Sequence, residues 1–500
     1  MRGINTPIVQ IREAILERIA EIAWKDGDRK EELARIPYDI SPDEEPRYRE
    51  SVWRERAISS ERVRLALGLS LRPGDKDVPM MEGFAESNID KKYYEPPLMQ
   101  VIPSACEACE DNKYEVTNMC RACVAHPCME VCPTDAISFV DGRAFIHQDK
   151  CVRCGKCREV CPYSAIIKKE RPCYRACGVH AITDDKYHRA HIDQDKCVSC
   201  GQCMAYCPFG AISDKSQIYQ MIQAMKSDTP IIAELAPAFE GQFGKPECAN
   251  QLKEALLDLG FADVYEVALG ADMGAMAEAE HYVNAVVNGD QEFLLTSCCP
   301  SWAVMAKKSF PEMKGHISQE LTPMVATARV IKKEHPDAKV VFIGPCAAKK
   351  LEAARKTVRS DVDFVITFAE LKAVLKSKEI KLENYEQGRG LHQATAAGRG
   401  YAVAGGVADA IEACLDKYYP DVEAKVEHAE GLSQCSNILK VAKTGDMEGC
   451  LIEGMACPGG CVGGVGTVLS IPKAKAAVAK AKRASSKKVP EKTVAKKEGM

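Results

Sequence analysis

The sequence predicts an α/β protein in several parts: a helical N-terminal region, a short cysteine-dense α+β stretch, and a larger domain of buried, largely parallel strands flanked by helices. Three observations predict it. Apolar residues at helical spacing run through the first hundred positions, sixteen cysteines crowd the next hundred, and from about 216 apolar β-branched runs alternate with helical stretches. A chain of 500 residues has room for about two to four domains at roughly 150 residues each.

With 46% hydrophobic and 28% charged residues the chain can bury a sizeable core in water. Its start, MRGINTPIVQIREAILERIA, is amphipathic rather than a charged-then-apolar leader, and no apolar run reaches the ~20 residues of a membrane helix. A cytoplasmic protein without a membrane span is expected. Net charge is −4, but residues 471–500 carry +8 and leave the body at −12. An acidic body argues against nucleic-acid binding by the folded part. The basic, Ala/Lys/Ser-rich tail 471–500 is expected to be disordered and solvated, with docking to an acidic redox partner or an anionic surface as the sharper alternative.

Residues 1–100 form the helical region. IREAILERIAEIAW has helical periodicity, Pro-rich breaks fall at IPYDISPDEEP and YYEPPLMQVIP, and there is no cysteine. Residues 101–215 hold sixteen of the 25 cysteines, too dense for an ordinary hydrophobic core. Without a secretion leader, so many thiols read as metal ligands rather than disulfides.

One unit recurs four times in this stretch: CMEVCPTDAI, CREVCPYSAI, CYRACGVHAI and CMAYCPFGAI. Cys151, Cys154, Cys157 and Cys161, and again Cys197, Cys200, Cys203 and Cys207, carry the C-x2-C-x2-C-x3-C-P spacing of bacterial ferredoxins. There three close thiolates wrap one [4Fe–4S] cubane and the fourth, redirected by proline, reaches the other cluster of a pair. A zinc site suits such a compact run poorly.

A two-cluster module separates its two runs by about twenty residues. Cys132 lies nineteen before Cys151 and Cys177 twenty before Cys197, whereas Cys161 lies only twelve before Cys173, so the modules are expected at 120–161 and 173–207. In the first, Cys120, Cys123, Cys128 and Cys161 would hold one cubane and Cys132, Cys151, Cys154 and Cys157 a second. In the other, Cys177 joins Cys197, Cys200 and Cys203. Cys173 and Cys207 are then two ligands short, and Cys106 and Cys109 of SACEAC are the unspent pair that would complete a fourth. Three to four additional [4Fe–4S] clusters acting as an electron relay are expected.

Residues 216–470 hold the runs PIIAELAP, EFLLTSCCP, KVVFIGPCAA and DFVITFAEL between helical stretches, the pattern of an α/β domain with buried parallel strands. Loops at strand carboxyl ends hold the ligands in such domains. Three segments, TSCCPSW, GPCAAKKLE and EGMACPGGCVGG, present Cys298, Cys299, Cys346, Cys457 and Cys461 beside Pro or Gly, where backbone can approach a bulky inorganic group. Four thiolates suffice for one more cubane, so one cysteine is left for another role. The vicinal pair Cys298–Cys299 cannot readily close into a disulfide, and its two side chains point to different sides.

In these three motifs the chain resembles the [FeFe]-hydrogenases. The resemblance covers about 216–470 and implies a two-lobed catalytic domain of mixed or parallel sheets flanked by helices. It also implies an H-cluster: a cubane on Cys299, Cys346, Cys457 and Cys461, with Cys461 bridging to a diiron unit that carries CO, cyanide and a dithiolate-amine. Lys349 then resembles the lysine that donates to a cyanide, Met455 the methionine beside the diiron unit, and Ala236, Pro237 and Ala238 a wall of its pocket. Cys298 is left to pass protons to the bridgehead amine, a role suited to a thiol tuned by its surroundings.

The same resemblance places a proton path through Glu278 and Ser318. A second glutamate is expected one helical turn after Glu278, but His281 stands there and Glu280 one residue away, so the exit is altered or rerouted, with His281 a workable relay. Gly344, where many members carry methionine, implies an enlarged or repolarised pocket and a less studied branch. Cys248, Cys414, Cys435 and Cys450 match no ligand pattern and read as buried structural thiols. The expected activity is 2H+ + 2e− ⇌ H2, with electrons exchanged with ferredoxin or a similar small carrier and assembly by hydrogenase maturation proteins. A hydrogen-sensing member and an iron–sulfur scaffold or assembly protein lacking the diiron unit are the alternatives.

Overall fold

The computed structural model describes residues 3–491 apart from 88–95, 111, 245–248, 356–359, 387, 389 and 392. Cys248 lies outside the described residues.

The N-terminal region opens with three helices, α1 (Pro7–Ala23), α2 (Lys30–Ile40) and α3 (Val52–Ala66). Thr6 caps α1 by accepting from the Val9 N–H, and Pro7 fits the first helical position, where no amide donor is needed. Its apolar stripe buries Ile15, Ile19 and Ile22, each worth about 1.5–3 kcal/mol when removed from water. That stripe packs on a helix of the C-terminal domain, Phe368–Ser377, and ion pairs from Lys372 to Glu13 (2.8 Å) and Lys376 to Glu17 (2.7 Å) run along the seam. Residues 3–87 thus share one hydrophobic core with the C-terminal domain.

The cysteine-dense stretch consists of antiparallel strand pairs. Ile137–Val140 with Arg143–Ile146, and Ile182–Asp184 with Ala190–Ile192, are hairpins. Lys113–Val116 pairs with Ile166–Lys169, and Met99–Val101 with Ile212–Asp214. The last pair encloses the other three. The modules expected one after the other at 120–161 and 173–207 are therefore nested: the first is inserted into the second, which begins at Met99 and resumes after Lys169. This is why Cys106 and Cys109 stand so far ahead of Cys173 in the chain.

The C-terminal domain has two parallel sheets. Along the chain its strands are β1 (Ile231–Leu235), β2 (Asp263–Glu266), β3 (Leu294–Leu295), β4 (Lys339–Gly344), β5 (Phe364–Thr367), β6 (Lys425–Glu430) and β7 (Cys450–Met455). One sheet has the order β2-β1-β4-β5 and the other β3-β7-β6, every pair parallel. β1, β5 and β7 are buried throughout, as strands covered on both faces must be. β6, KVEHAE, is the exposed edge, and its charges blunt it against further pairing. All seven strands run the same way within their sheets, so the loops after β1, β3, β4 and β7 leave from carboxyl ends.

The tail expected to be disordered from 471 is instead helical over Ile471–Ala484, with Ala474, Ala477 and Val478 buried. Alanine is the strongest helix former, and small residues at i, i+3 and i+4 let this helix lie close to its neighbours while the lysines stay in water. Beyond it, Lys487 and Lys488 carbonyls accept from the Ala396 and Ala397 N–H groups. Residues 492–500 lie outside the described residues. Among the described residues no helix is long and apolar enough to cross a membrane.

Candidate metal centres

Four strand ends meet at one cavity of about 80 Å³, lined almost wholly by apolar groups. From β1 come Ala236, Pro237 and Ala238; from β3, Cys298 and Cys299; from β4, Cys346 and then Lys349; from β7, Met455, Cys457 and Cys461. All five cysteines singled out in the sequence reach it.

The loops are fixed by close packing. Cys299 is the residue before helix Pro300–Ser309, and Trp302 on that helix is fully buried, donating its indole N–H to Thr296 O at 2.9 Å. Trp302 lies on Gly454, where a Cβ would come within 2.1 Å of the ring. Gly464 lets the Cys461 loop close on the Cys346 loop, since a Cβ there would stand 2.4 Å from Pro345 O.

The sulfurs surround a space rather than a point. Among the described residues no three His, Cys, Asp or Glu side chains gather tightly enough for a single metal ion. Four thiolates around a cubane are spread more widely, which fits this arrangement. Burial, then the neighbouring Cys299, pushes the Cys346 thiol up to about 11, and burial holds Cys461 well above the usual range. Desolvated thiols crowded in this way call for a cationic inorganic group between them.

Lys349 is buried and forms a 2.6 Å ion pair with Glu352; its Nζ also lies 3.4 Å from Cys298 O. Glu352 accepts from the Thr322 hydroxyl at 2.7 Å. An ammonium has three donors, and Lys349 lines the cavity with them partly committed behind it. The Glu352 partner went unread in the motif. Gly344 does not enlarge the pocket as expected: the Phe342 ring, two residues earlier on the same face of β4, occupies that space, and a Cβ at 344 would meet it at 2.4 Å. The wall is filled by an aromatic side chain from the neighbouring position.

Behind Cys298 stands Glu278. Burial pushes its carboxyl up to about 7, opposed by hydrogen bonds from the Ser318 hydroxyl and the Ser297 N–H. Cys298 itself is held well above the ordinary thiol range by burial, then by Glu278 and Cys299. The Ser318 hydroxyl accepts from the Glu320 N–H at 3.2 Å, and Glu320 lies 4.0 Å from His281 Nδ1. Glu280 is exposed. Glu320, two residues after Ser318 in ISQE, is the carboxylate beside His281, and the helical spacing from Glu278 could not reveal it. Tyr401, also unread, lines the cavity and feels both Glu278 and Cys298.

The upstream cysteines fall into four groups. Cys132, Cys151, Cys154 and Cys157 line one small cavity, and Cys106, Cys109, Cys173 and Cys207 another. Cys128 is pushed up by burial and by Cys123 and Cys161 beside it, and Cys120 and Cys161 pack in the same core. Cys203 is raised by burial, then by Cys200, Cys197 and Cys177. The loops share one geometry. The residue before the second cysteine of each run is left-handed, namely Ala108, Ala122, Arg153 and Ser199, as is the residue before the alanine of each repeat, namely Asp135, Ser164, His180 and Gly210. Non-glycine residues resist that region at about 1–2 kcal/mol each. The turn aims an amide at sulfur: Ala136, Ala165, Ala181 and Ala211 N–H donate to Cys132, Cys161, Cys177 and Cys207 Sγ at 3.3, 3.4, 3.2 and 3.4 Å. Such donors favour thiolate, the form an iron–sulfur cluster needs.

The Cys177–Cys203 group abuts the large site. Gln202 Nε2 donates to Cys457 Sγ at 3.2 Å, and the Ser301 hydroxyl to Val198 O at 3.0 Å. Of the remaining thiols, Cys435 is buried and donates to Ala429 and Met455 carbonyls, and Cys414 and Cys450 are buried in the core.

Comparison with known proteins bears on this geometry. Residues 229–465 match the family described as iron only hydrogenase large subunit, C-terminal domain, residues 190–213 a 4Fe-4S binding domain, and residues 120–170 the LdpA Fe-S cluster-binding domain. Iron hydrogenase 1 of Clostridium pasteurianum is 29% identical over 306 residues, covering 51% of this chain and 53% of that protein. The chain spans about half the length of the first curated relatives it matches. The solved [FeFe]-hydrogenase HydA1 from Chlamydomonas reinhardtii aligns at 23% identity and a TM-score of 0.40, covering 50% of this chain and 84% of that one. A shorter stretch resembles the cytosolic Fe-S cluster assembly factor NAR1 of Kluyveromyces lactis, 36% identical over 92 residues, which is 18% of this chain and 20% of that protein. Taken with the iron–sulfur segments upstream, the family match over 229–465 makes this chain an iron-only-hydrogenase-like protein with iron–sulfur cofactors.

Proposed function

We propose that the protein interconverts protons and H2 at an H-cluster in the cavity walled by Cys299, Cys346, Cys457 and Cys461, exchanging electrons with ferredoxin or a similar small carrier through four upstream [4Fe–4S] clusters. The observation that carries this reading is the convergence of five cysteines, Lys349, Met455 and the Ala236–Ala238 turn on one apolar cavity at the carboxyl ends of two parallel sheets. When bound, the diiron unit supplies the open coordination position at which H2 is made or split.

The chain's own residues bind, orient and shield. Cys299, Cys346, Cys457 and Cys461 would hold the cubane, and Lys349, steadied by Glu352, would offer its ammonium as a donor to anionic ligands of the group in the cavity. Phe342, Pro237 and Met455 keep water out. Cys298 takes and returns the proton at its Sγ, and Glu278 with Ser318 carries it away from the cavity; Glu320, beside His281, offers the next carboxylate toward solvent. Gln202, next to Cys203 of the nearest relay group, joins that group to the site through its hydrogen bond to Cys457 Sγ.

The likeness to the assembly factor NAR1 favours a second reading, an iron–sulfur protein without the diiron unit. Infrared spectra after co-expression with hydrogenase maturation proteins decide between them. Bands of metal-bound CO and cyanide, with H2 evolved from reduced ferredoxin, are expected; cubanes without those bands would establish the second reading.

A further inference from the structure

Five arginines close around one of the relay groups, and among the described residues no other relay group is held in this way. Arg12 Nη2 donates to Ile212 O, Arg49 Nη2 to Phe209 O at 2.8 Å, Arg54 Nε to Ser104 O at 2.8 Å, Arg62 Nη2 to Gly210 O at 2.8 Å and Arg171 Nε to Cys109 O at 2.6 Å. These carbonyls belong to the loops that carry Cys106, Cys109 and Cys207. Four of the five arginines come from α1, α3 and the turn before α3.

Their charges are unevenly answered. Glu107 serves both Arg49 and Arg54 at 2.6 Å, and Asp184 pairs with Arg171. Arg12 and Arg62 meet no carboxylate at ion-pair distance among the described residues. Arg62 is 5% exposed, and its Nε and Nη1 are buried without a partner, as is Arg12 Nε. A guanidinium is not left in that state without an anion nearby. Burial, with Arg12 and Arg49 alongside, pushes Arg62 down to about 9, and Cys207 is the group that opposes this; Asp214 and Cys207 do the same for Arg12. Asp214 is already engaged by Lys350 at 2.8 Å. Arg12, Arg62 and Cys207 line one cavity, and the cluster that Cys207 would help to hold is the anionic group beside the two arginines.

We propose that Arg12 and Arg62 are positioning residues that raise the reduction potential of the cubane on Cys106, Cys109, Cys173 and Cys207 above those of the other relay clusters, so that this one takes and keeps the first electron. The inference rests on the four-cluster reading above. Reduction by one electron from the small carrier, [4Fe–4S]2+ + e− → [4Fe–4S]+, adds one negative charge beside two cations in a low-dielectric interior, which favours the reduced form. The helical N-terminal region thereby lays those cations over one cluster and sets it apart from the rest.

The test is an anaerobic potentiometric titration of the fully loaded protein followed by EPR, with iron and sulfide counted in every sample. The signal of this cluster is the one lost from Cys109→Ser. Arg62→Met should lower its midpoint so that the ratio of reduced to oxidised cluster at fixed poise falls at least about tenfold, which is 59 mV for one electron. The other midpoints should stay, and Arg62→Lys, which keeps the charge, should recover most of the loss. Arg12→Met gives a second reading where Arg62→Met loses iron. An unmoved midpoint in these variants at full iron overturns the proposal, and so does loss of this cluster from both Met variants, which would make the arginines clamps of the loops only. About twelve relay irons in the wild type, with none lost from Cys109→Ser, would instead overturn the four-cluster reading itself.

Discussion

Replacing Lys350 by methionine should loosen the cysteine-dense modules from the C-terminal domain. Lys350 follows Lys349 in the motif but points the other way, its side chain 1% exposed. Its Nζ meets Asp214 at 2.8 Å, Glu370 at 3.0 Å and Lys215 O at 2.8 Å. Asp214 closes the second module's outer strand, and Glu370 sits in the capping box of helix Phe368–Ser377. Burial lowers the ammonium's proton affinity, but Asp214 and Glu370 outweigh it and push it up to about 12, against an ordinary 10.5. The rise from 10.5 to about 12 corresponds to ~2 kcal/mol of favourable interaction in the folded state. That stability is complete below about pH 10.5 and lost as pH rises through about 12. Removing the cation costs more than the interaction alone, because two carboxylates and a carbonyl stay buried without it; ~3–5 kcal/mol is expected at neutral pH. Urea unfolding under anaerobic conditions, followed by circular dichroism, measures it. Adding Asp214→Asn and Glu370→Gln to Lys350→Met should restore most of the loss, since both new side chains still accept hydrogen bonds. A loss under about 1 kcal/mol, or no restoration, would refute the view that this buried triad joins the two parts.

Cys298→Ala should leave the full iron content in place while H2 turnover falls by orders of magnitude; unchanged turnover would remove the thiol from the proton path. Glu278 gives a stability loss in the same direction as Lys350, with rising pH, but in a lower window. Its carboxyl stays neutral in the fold up to about pH 7, whereas the unfolded chain ionises from about 4.5, so the wild type loses up to ~3 kcal/mol between those values. Glu278→Gln should be free of that loss, its advantage growing across the same window in parallel urea titrations, and equal pH dependences would contradict it. Gly464→Ala places a methyl 2.4 Å from Pro345 O and should part the Cys461 and Cys346 loops. Iron at that site should fall while the relay iron, about sixteen atoms, remains; a full complement everywhere would show that the loop yields without harm.

The motifs were legible because ligation chemistry dictates local spacing. A thiolate run wrapping one cubane needs two residues between successive cysteines, and a left-handed residue between the first two turns the amides toward sulfur, so the pattern survives in the sequence whatever surrounds it. The parallel strands were legible for a related reason: buried on both faces, they must be apolar throughout. The Gly344 reading failed because a residue's absence says nothing about who fills its place; Phe342 did. The tail reading failed because alanine spacing in AKAAVAKAKRA was outweighed by its charge, though three small buried residues suffice to seat a helix.

By itself the sequence determined which cysteines run together in one loop and which strands are buried, since each of these follows from contacts among neighbours in the chain. Only the tertiary structure decided that one module is threaded through the other, that Glu320 stands beside His281, and that Arg12 and Arg62 line one cavity with Cys207. These depend on residues tens to hundreds of positions apart, and no local spacing rule constrains a charge or a strand that reaches its partner only when the whole chain has packed.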